Sequence, residues 1–300
     1  MRSCPLLLAF SLLTSTFTNG QAPGVPIFDQ SRASLKRVER DVGQQAEELM
    51  KTGNVLTAES IKTRMEKPEP VLLALKQSSP TELKPAEVAR KALASSYRVG
   101  WAYLCPSCDH WHTNLGGGYA ISDDGIIATC AHVVDPGKIK MRKGCLTAIN
   151  HTGKVFPVTK IHAYHRRMDA ALIRIEAETI GLALNDQVSP GDAAFCLSRP
   201  LSQGKYFTAG IVNRFFWNSA KRGKDSSSLE ALAALKMNVS SRWAPGSSGS
   251  PVLDQAGNVI GHVATISNLG EDKNDKEDSL ITLHSATPAR SVAALATQKK

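Results

Sequence analysis

Three short segments of this chain hold residue types that could do chemistry together. A strand-like run, Ile126-Ile-Ala-Thr-Cys-Ala-His132-Val-Val, leads into a histidine. His165-Arg-Arg-Met-Asp169-Ala-Ala-Leu-Ile-Arg carries an aspartate at the entry to an apolar strand. Trp243-Ala-Pro-Gly246-Ser-Ser248-Gly-Ser-Pro-Val sets a serine among glycines. Each alone has a plain explanation: a satisfied histidine, a turn or capping aspartate, a loop. In the order His, Asp, Ser they describe a hydroxyl nucleophile with its base. A serine hydroxyl is a poor nucleophile until an imidazole can take its proton. A buried carboxylate fixes the imidazole tautomer and stabilises the imidazolium formed on attack. Glycines beside the serine let consecutive backbone N–H groups turn toward a developing oxyanion, where losing one donor costs about 2.7–4 kcal/mol of activation energy. The chemistry implied is acyl transfer, and it needs no cofactor.

A second cluster is Cys105-Pro-Ser-Cys108-Asp-His110-Trp-His112, two thiols and two imidazoles within eight residues. The Cys-x2-Cys spacing is half of a zinc knuckle, so Cys105, Cys108, His110 and His112 are candidate ligands of a structural zinc. The alternatives are a short-range disulfide or paired thiols at a strand edge, and a redox site. Asp109 between Cys108 and His110 excludes the c-type haem pattern. Cys130, two residues before His132, reads as core.

These residues need a scaffold. From Tyr97 onward, short apolar runs rich in β-branched and aromatic residues alternate with Gly, Asp and Asn turns: 99–104, 118–122, 126–130, 155–161, 170–175, 193–197, 207–217, 252–254, 259–266 and 280–283. Many short strands at this spacing predict an all-β barrel or sandwich. Asp124-Gly125 and Ala256-Gly257-Asn258 are hairpin turns. The charged tracts 218–230 and 268–278 read as surface loops, and 288–297 as a closing helix. Before the strands, Leu35, Val38, Val42, Ala46 and Leu49 form one apolar helical stripe. A second helix is expected over 57–67 and a third over 86–96, started by Pro85. Residues 21–96 are thus a short helical segment, read as a spacer, a propeptide or a docking element.

The first twenty residues read as an export signal. Arg2 supplies the positive start, Pro5 to Leu13 the short apolar run, and cleavage after Gly20 fits the small and polar residues that follow. That run is shorter than the roughly 20 residues a membrane span needs; an uncleaved anchor is the alternative. A secreted or periplasmic protein, free of the membrane after cleavage, is expected. The net charge is +9, but Lys and Arg are scattered among acids without interleaved aromatics, so no nucleic-acid partner is expected. Removing the signal leaves five cysteines, an odd number and too few for a disulfide scaffold.

The motifs resemble those of trypsin-like serine proteases, especially the bacterial Deg/HtrA branch. Thr-Cys-Ala-His132-Val-Val is similar to that family's Thr-Ala/Asn-Ala-His-Val-Val, and Asp169-Ala-Ala-Leu to its Asp-Leu/Ala-Ala-Leu. Pro245-Gly-Ser-Ser248-Gly-Ser-Pro resembles Pro-Gly-Asn-Ser-Gly-Gly-Pro, with a Gly-Ser-Pro-Val ending like that of glutamyl endopeptidases. Phe207-Thr-Ala-Gly-Ile-Val resembles a Deg strand, and the likeness runs from about Tyr97 to Ala293. The resemblance implies a secreted serine endopeptidase with a chymotrypsin fold of two six-stranded antiparallel barrels. His132 would be the base, Asp169 its orienter and Ser248 the nucleophile. The N–H groups of Gly246 and Ser248 would form the oxyanion hole, and Ala264, Thr265 and Ile266 would pair with an extended protein or peptide substrate. The other reading is a non-catalytic protease-like module that binds peptides in the same groove.

Some positions depart from the family. Ser247 replaces the aspartate with which animal digestive relatives anchor a freed N-terminus, so that activation switch is excluded. The roughly fifty residues after Ser248 are needed to finish the second barrel, so no PDZ domain is expected. Six residues before the nucleophile, where the family often floors its specificity pocket, stands Arg242, with His262 expected nearby. A cation there would favour an acidic side chain before the scissile bond; a solvent-facing arginine is the alternative.

Overall fold

The computed structural model describes residues 32–202, 204–219, 225–270 and 279–297. The expected export signal and most of its spacer therefore lie outside the described residues. Six strands, β1 (Ser96–Leu104), β2 (Trp111–Ala120), β3 (Ile126–Thr129), β4 (Lys143–Ile149), β5 (Val155–His165) and β6 (Ala170–Ile175), close into an antiparallel barrel in the order β1-β2-β3-β6-β5-β4. A second barrel, β10-β11-β12-β9-β8-β7, is made by β7 (Ala193–Ser198), β8 (Tyr206–Trp217), β9 (Leu235–Val239), β10 (Pro251–Leu253), β11 (Val259–Gly270) and β12 (Ser279–Pro288). Closure leaves neither sheet an unpaired edge. The expected all-β, double-barrel architecture is present.

The local signals act as their chemistry dictates. Gly125 takes φ +100° in the turn between β2 and β3, and Gly257 takes φ +70° between β10 and β11. Both conformations suit glycine because it lacks a Cβ. Two strands, β4 and β9, were absent from the expected runs, and β2 starts seven residues early. Lys143-Gly-Cys-Leu-Thr-Ala-Ile lacks alternation because all but its first residue is buried. β9 follows directly on a short helix, α5 (Leu229–Ala234), which also replaces the end of an expected loop.

The helical N-terminal segment packs onto both barrels. Helix α1 (Arg32–Thr52) buries Val42 and Ala46 against Ala102, Cys145, Ile149 and Val155 of the first barrel. Helix α2 (Ala58–Glu66) inserts Ile61 into that barrel's core beside Leu56. An extended run then crosses the molecule. Glu69 donates its N–H to Ile161, Lys76 pairs with Asp123 at 2.7 Å, and Leu83 donates to Gln255 of the second barrel. Asn258, buried in the β10–β11 turn, exchanges two hydrogen bonds with the Ser79 backbone. Helix α3 (Pro85–Ser95) adds Val88 and Ala92 to a core between the barrels that also holds Tyr119, Leu172, Leu253 and, from the closing helix α6 (Ala289–Ala296), Leu295. Complete burial of each such aliphatic side chain is worth about 1.5–3 kcal/mol. Helices α1, α2 and α3 each thus place residues in the cores. Among the described residues no helix is long and apolar enough to cross a membrane.

Candidate active site

The histidine is delivered by β3, whose four residues are all buried. The strand ends at Cys130, which caps a one-turn helix, α4 (Ala131–Val134), so that His132 faces outward with its side chain 51% exposed. The aspartate closes the turn after β5. Its N–H bonds the carbonyl of His165 at 3.0 Å, and its backbone takes the left-handed conformation at φ +60°. Asp tolerates this region better than most residues. Met168 anchors the same turn, its side chain buried in the inter-barrel core. Its carbonyl accepts from Lys236 Nζ at 2.8 Å and Thr287 Oγ1 at 2.9 Å, both from the second barrel.

These elements bring His132 and Asp169 together. His132 Nδ1 lies 2.9 Å from both carboxylate oxygens, and the His132 backbone N–H donates to Oδ1 at 3.1 Å. A carboxylate only accepts, so Nδ1 carries a proton. Burial pushes the Asp169 carboxyl up, but the His132 hydrogen bonds and charge more than offset it and hold the group at about 2. Behind it lies His262, fully buried, with Nε2 3.0 Å from the Asp169 carbonyl and Nδ1 3.3 Å from the Tyr119 hydroxyl. Burial lowers His262 to about 4, so the ring is neutral. Its Nε2–H must then donate to the carbonyl and its Nδ1 accept from tyrosine.

The serine rides on a loop between β9 and β10 that is fastened to the first barrel. Gly117 N–H donates to the Ser248 carbonyl at 2.6 Å, and Gly249 N–H donates to the Val263 carbonyl at 2.8 Å. That same carbonyl accepts from Cys130 Sγ at 3.1 Å, so one acceptor ties the residue after Ser248 to the residue two before His132. Gly249 has φ +81°, and a Cβ there would meet Gly117 O and Thr129 Oγ1. No other residue fits. Gly246 has φ +94°. Among the described residues neither the Gly246 nor the Ser248 N–H has an acceptor, and the Ser248 hydroxyl makes no hydrogen bond to His132. Such bonds often tighten only when substrate binds.

Ala264, Thr265 and Ile266 lie on β11, where the pairing with β12 shifts between Val263 and Thr265 and leaves Ala264 out of register. Such a bulge frees a backbone for other pairing. Arg242 is exposed next to Trp243, whose Nε1 donates to Thr265 O at 3.3 Å and whose ring meets His284 edge-on at 5.0 Å. His262, expected at the specificity pocket, is instead behind Asp169, because it points inward from β11. Tyr119, Lys236, Thr287 and His284 carried no signal in the sequence. The buried Lys236 stands on β9, a strand absent from the expected runs.

The cysteine cluster is only partly assembled. At the tip of the β1–β2 hairpin, Cys105 and Cys108 sulfurs stand 2.8 Å apart and His112 Nε2 is 3.0 Å from Cys108. His110 is not among the converging ligands. Cys105, Cys108 and His112 thus bring three donor atoms of the kinds that bind zinc to one point. Cys130 also lies near His132 and Asp169. Burial, then the Asp169 charge, keeps its thiol protonated, which suits a core donor and not a ligand.

Residues 116–261 match the trypsin-like peptidase domain. HhoB of Synechocystis sp., classed as a serine protease, is 28% identical over 165 residues, 52% of this chain and 35% of the relative. A Do-like protease of Arabidopsis thaliana is 32% identical over 155 residues, 49% of this chain and 34% of its own. A DegP-like periplasmic serine endoprotease of Chlamydia pneumoniae is 29% identical over 160 residues, 52% and 30% respectively. The chain thus spans about a third of the length of these relatives. A solved structure of the HtrA-type protease AlgW with a decapeptide superposes with a TM-score of 0.53 at 16% identity, covering 71% of this chain and 66% of that one. That likeness shows the fold.

Proposed function

We propose that this chain, which carries a trypsin-like peptidase domain and has Deg/HtrA-type serine proteases as relatives, is a serine endopeptidase exported from the cytoplasm. The observation that carries the reading is the His132–Asp169 pair at 2.9 Å beside a loop whose Gly246 and Ser248 N–H groups have no acceptor among the described residues. An extended peptide lies along Ala264–Ile266. His132 Nε2 takes the Ser248 proton as the oxygen attacks the scissile carbonyl, and Asp169 stabilises the imidazolium. The oxyanion is met by the two N–H groups. His132 then passes its proton to the leaving amine, and water attacks the acyl-serine by the reverse sequence. All groups belong to the chain, so no cofactor takes part.

Export rests on residues 1–20 and on periplasmic relatives. A preference for an acidic residue before the scissile bond rests on Arg242, exposed next to Trp243 and six residues before Ser248. Hydrolysis of a peptide library by wild-type and Ser248→Ala protein tests these statements together. The expected result is cleavage lost in the variant with its melting temperature kept, and Glu or Asp enriched before the cut. Activity surviving Ser248→Ala refutes the mechanism, and a profile without acidic preference refutes only the role of Arg242. A folded protein that binds peptides without Ser248-dependent turnover is the non-catalytic module.

A further inference from the structure

Between the barrels, behind the loop that carries Gly246, lies a small pocket. Arg98 of β1, Arg199 after β7 and Lys205 before β8 line it, and among the described residues no acidic one does. Arg98 stands opposite Gly117 in the β1–β2 register, with Ser250 packed against that glycine. Among the described residues none of the three cations forms an ion pair. The nearest acid acting on Arg98, Glu39 of α1, is outside ion-pair distance. Ser198, on the wall of the same cavity, is 3% exposed and its hydroxyl has no partner.

Three like charges gathered in a partly buried site repel and are costly unless something of opposite sign is present. Their mutual influence is visible. Burial first, then the Arg98 charge, brings Arg199 down to about 10, and burial with the Arg199 charge lowers Lys205. Guanidinium forks match the paired oxygens of carboxylates and phosphates. We infer that this pocket binds a small oxyanion, a carboxylate or phosphate group held by Arg98, Arg199 and Lys205 with Ser198 as a further donor.

The pocket also touches the catalytic loop. The Arg199 carbonyl is 3.1 Å from where a Cβ on Gly246 would stand, and Leu201 N–H donates to the Pro245 carbonyl at 2.7 Å. Leu201 holds a left-handed backbone at φ +48°, an uncommon state for a branched residue. An anion that fixes Arg199 therefore steadies the turn on which the Gly246 N–H depends. Ser247, where animal digestive relatives carry an aspartate, is buried and its hydroxyl has no partner, so the chain supplies no carboxylate there itself. This coupling rests on the proposed peptidase reading; the binding does not.

The test is made on the full chain carrying Ser248→Ala, so that binding is read apart from turnover. Inorganic phosphate and acetate are each titrated by calorimetry and by melting temperature against chloride at constant ionic strength. Saturable binding of phosphate, of acetate, or of both is expected, the stronger ligand identifying the source. Arg199→Gln should weaken it about tenfold or more, the factor that 1.4 kcal/mol represents. Relief of repulsion should also leave that variant melting no lower than the parent in anion-poor buffer. If Arg199→Gln does not fold, Lys205→Gln at the rim should still weaken binding several-fold. Binding no stronger than chloride, or unchanged in the folded variants, overturns the proposal. With Ser248 restored, phosphate or acetate should raise the acylation rate in the parent and not in Arg199→Gln; binding without that effect removes only the coupling.

Discussion

At the scale of residues, the site depends on groups that hold Asp169 in place as much as on Asp169 itself. Its carbonyl is fixed by His262, and the carbonyl before it by Lys236 and Thr287. His262 also has a thermodynamic signature. Its folded value is about 4 against an unfolded value near 6.5. Between those values the unfolded chain binds a proton that the folded chain does not, so stability falls as pH drops from about 6.5 toward 4. Asp169 acts at lower pH. Its depressed value adds stability above about pH 3.8, lost as pH falls through about 2. His262→Gln can keep an N–H donor toward Asp169 and cannot titrate. Melting temperatures at pH 7 and pH 4.5 should therefore differ less in the variant than in the parent. An unchanged difference would show that His262 is not buried neutral.

Elements were legible where one face or one turn type dominated. The stripe from Leu35 to Leu49 became α1, Pro85 opened α3, and Asp124-Gly125 turned β2 into β3. The motif segments became a strand into His132, a turn at Asp169 and a glycine loop at Ser248, because their local chemistry allows few other conformations. What was hidden was set by tertiary packing. β4 is buried on both faces, so alternation is lost. Lys236 looks like a surface residue, yet the second barrel buries it against the Met168 carbonyl. The direction of His262 depended on the strand's register, and a one-residue change in register exchanges the two faces of a strand. His110 and His112 are two residues apart, yet only His112 reaches the thiols.

The whole molecule is two barrels bound by an N-terminal strap. The strap contributes core residues to the first barrel, crosses to the second and ends in α3 between them. A segment that is merely a spacer would leave the barrels' stability unchanged when weakened. Ile61, 1% exposed inside the first barrel's cluster, separates the cases. Ile61→Ala should cost about 2–5 kcal/mol, read as a lower denaturation midpoint of the whole chain. An unchanged midpoint would mark the segment as dispensable to the fold. The strap's return through α3 also forms one wall of the anion pocket, which links this region to the loop around Gly246.

The central claim is that Ser248 is a nucleophile activated by His132. Labelling with an organophosphonate serine probe, followed by mass analysis of the tryptic peptides, tests it without knowledge of the substrate. One adduct per chain on the peptide containing Ser248, lost in Ser248→Ala and strongly slowed in His132→Ala, is the expected result. No adduct on the folded protein, or labelling indifferent to either substitution, would contradict it.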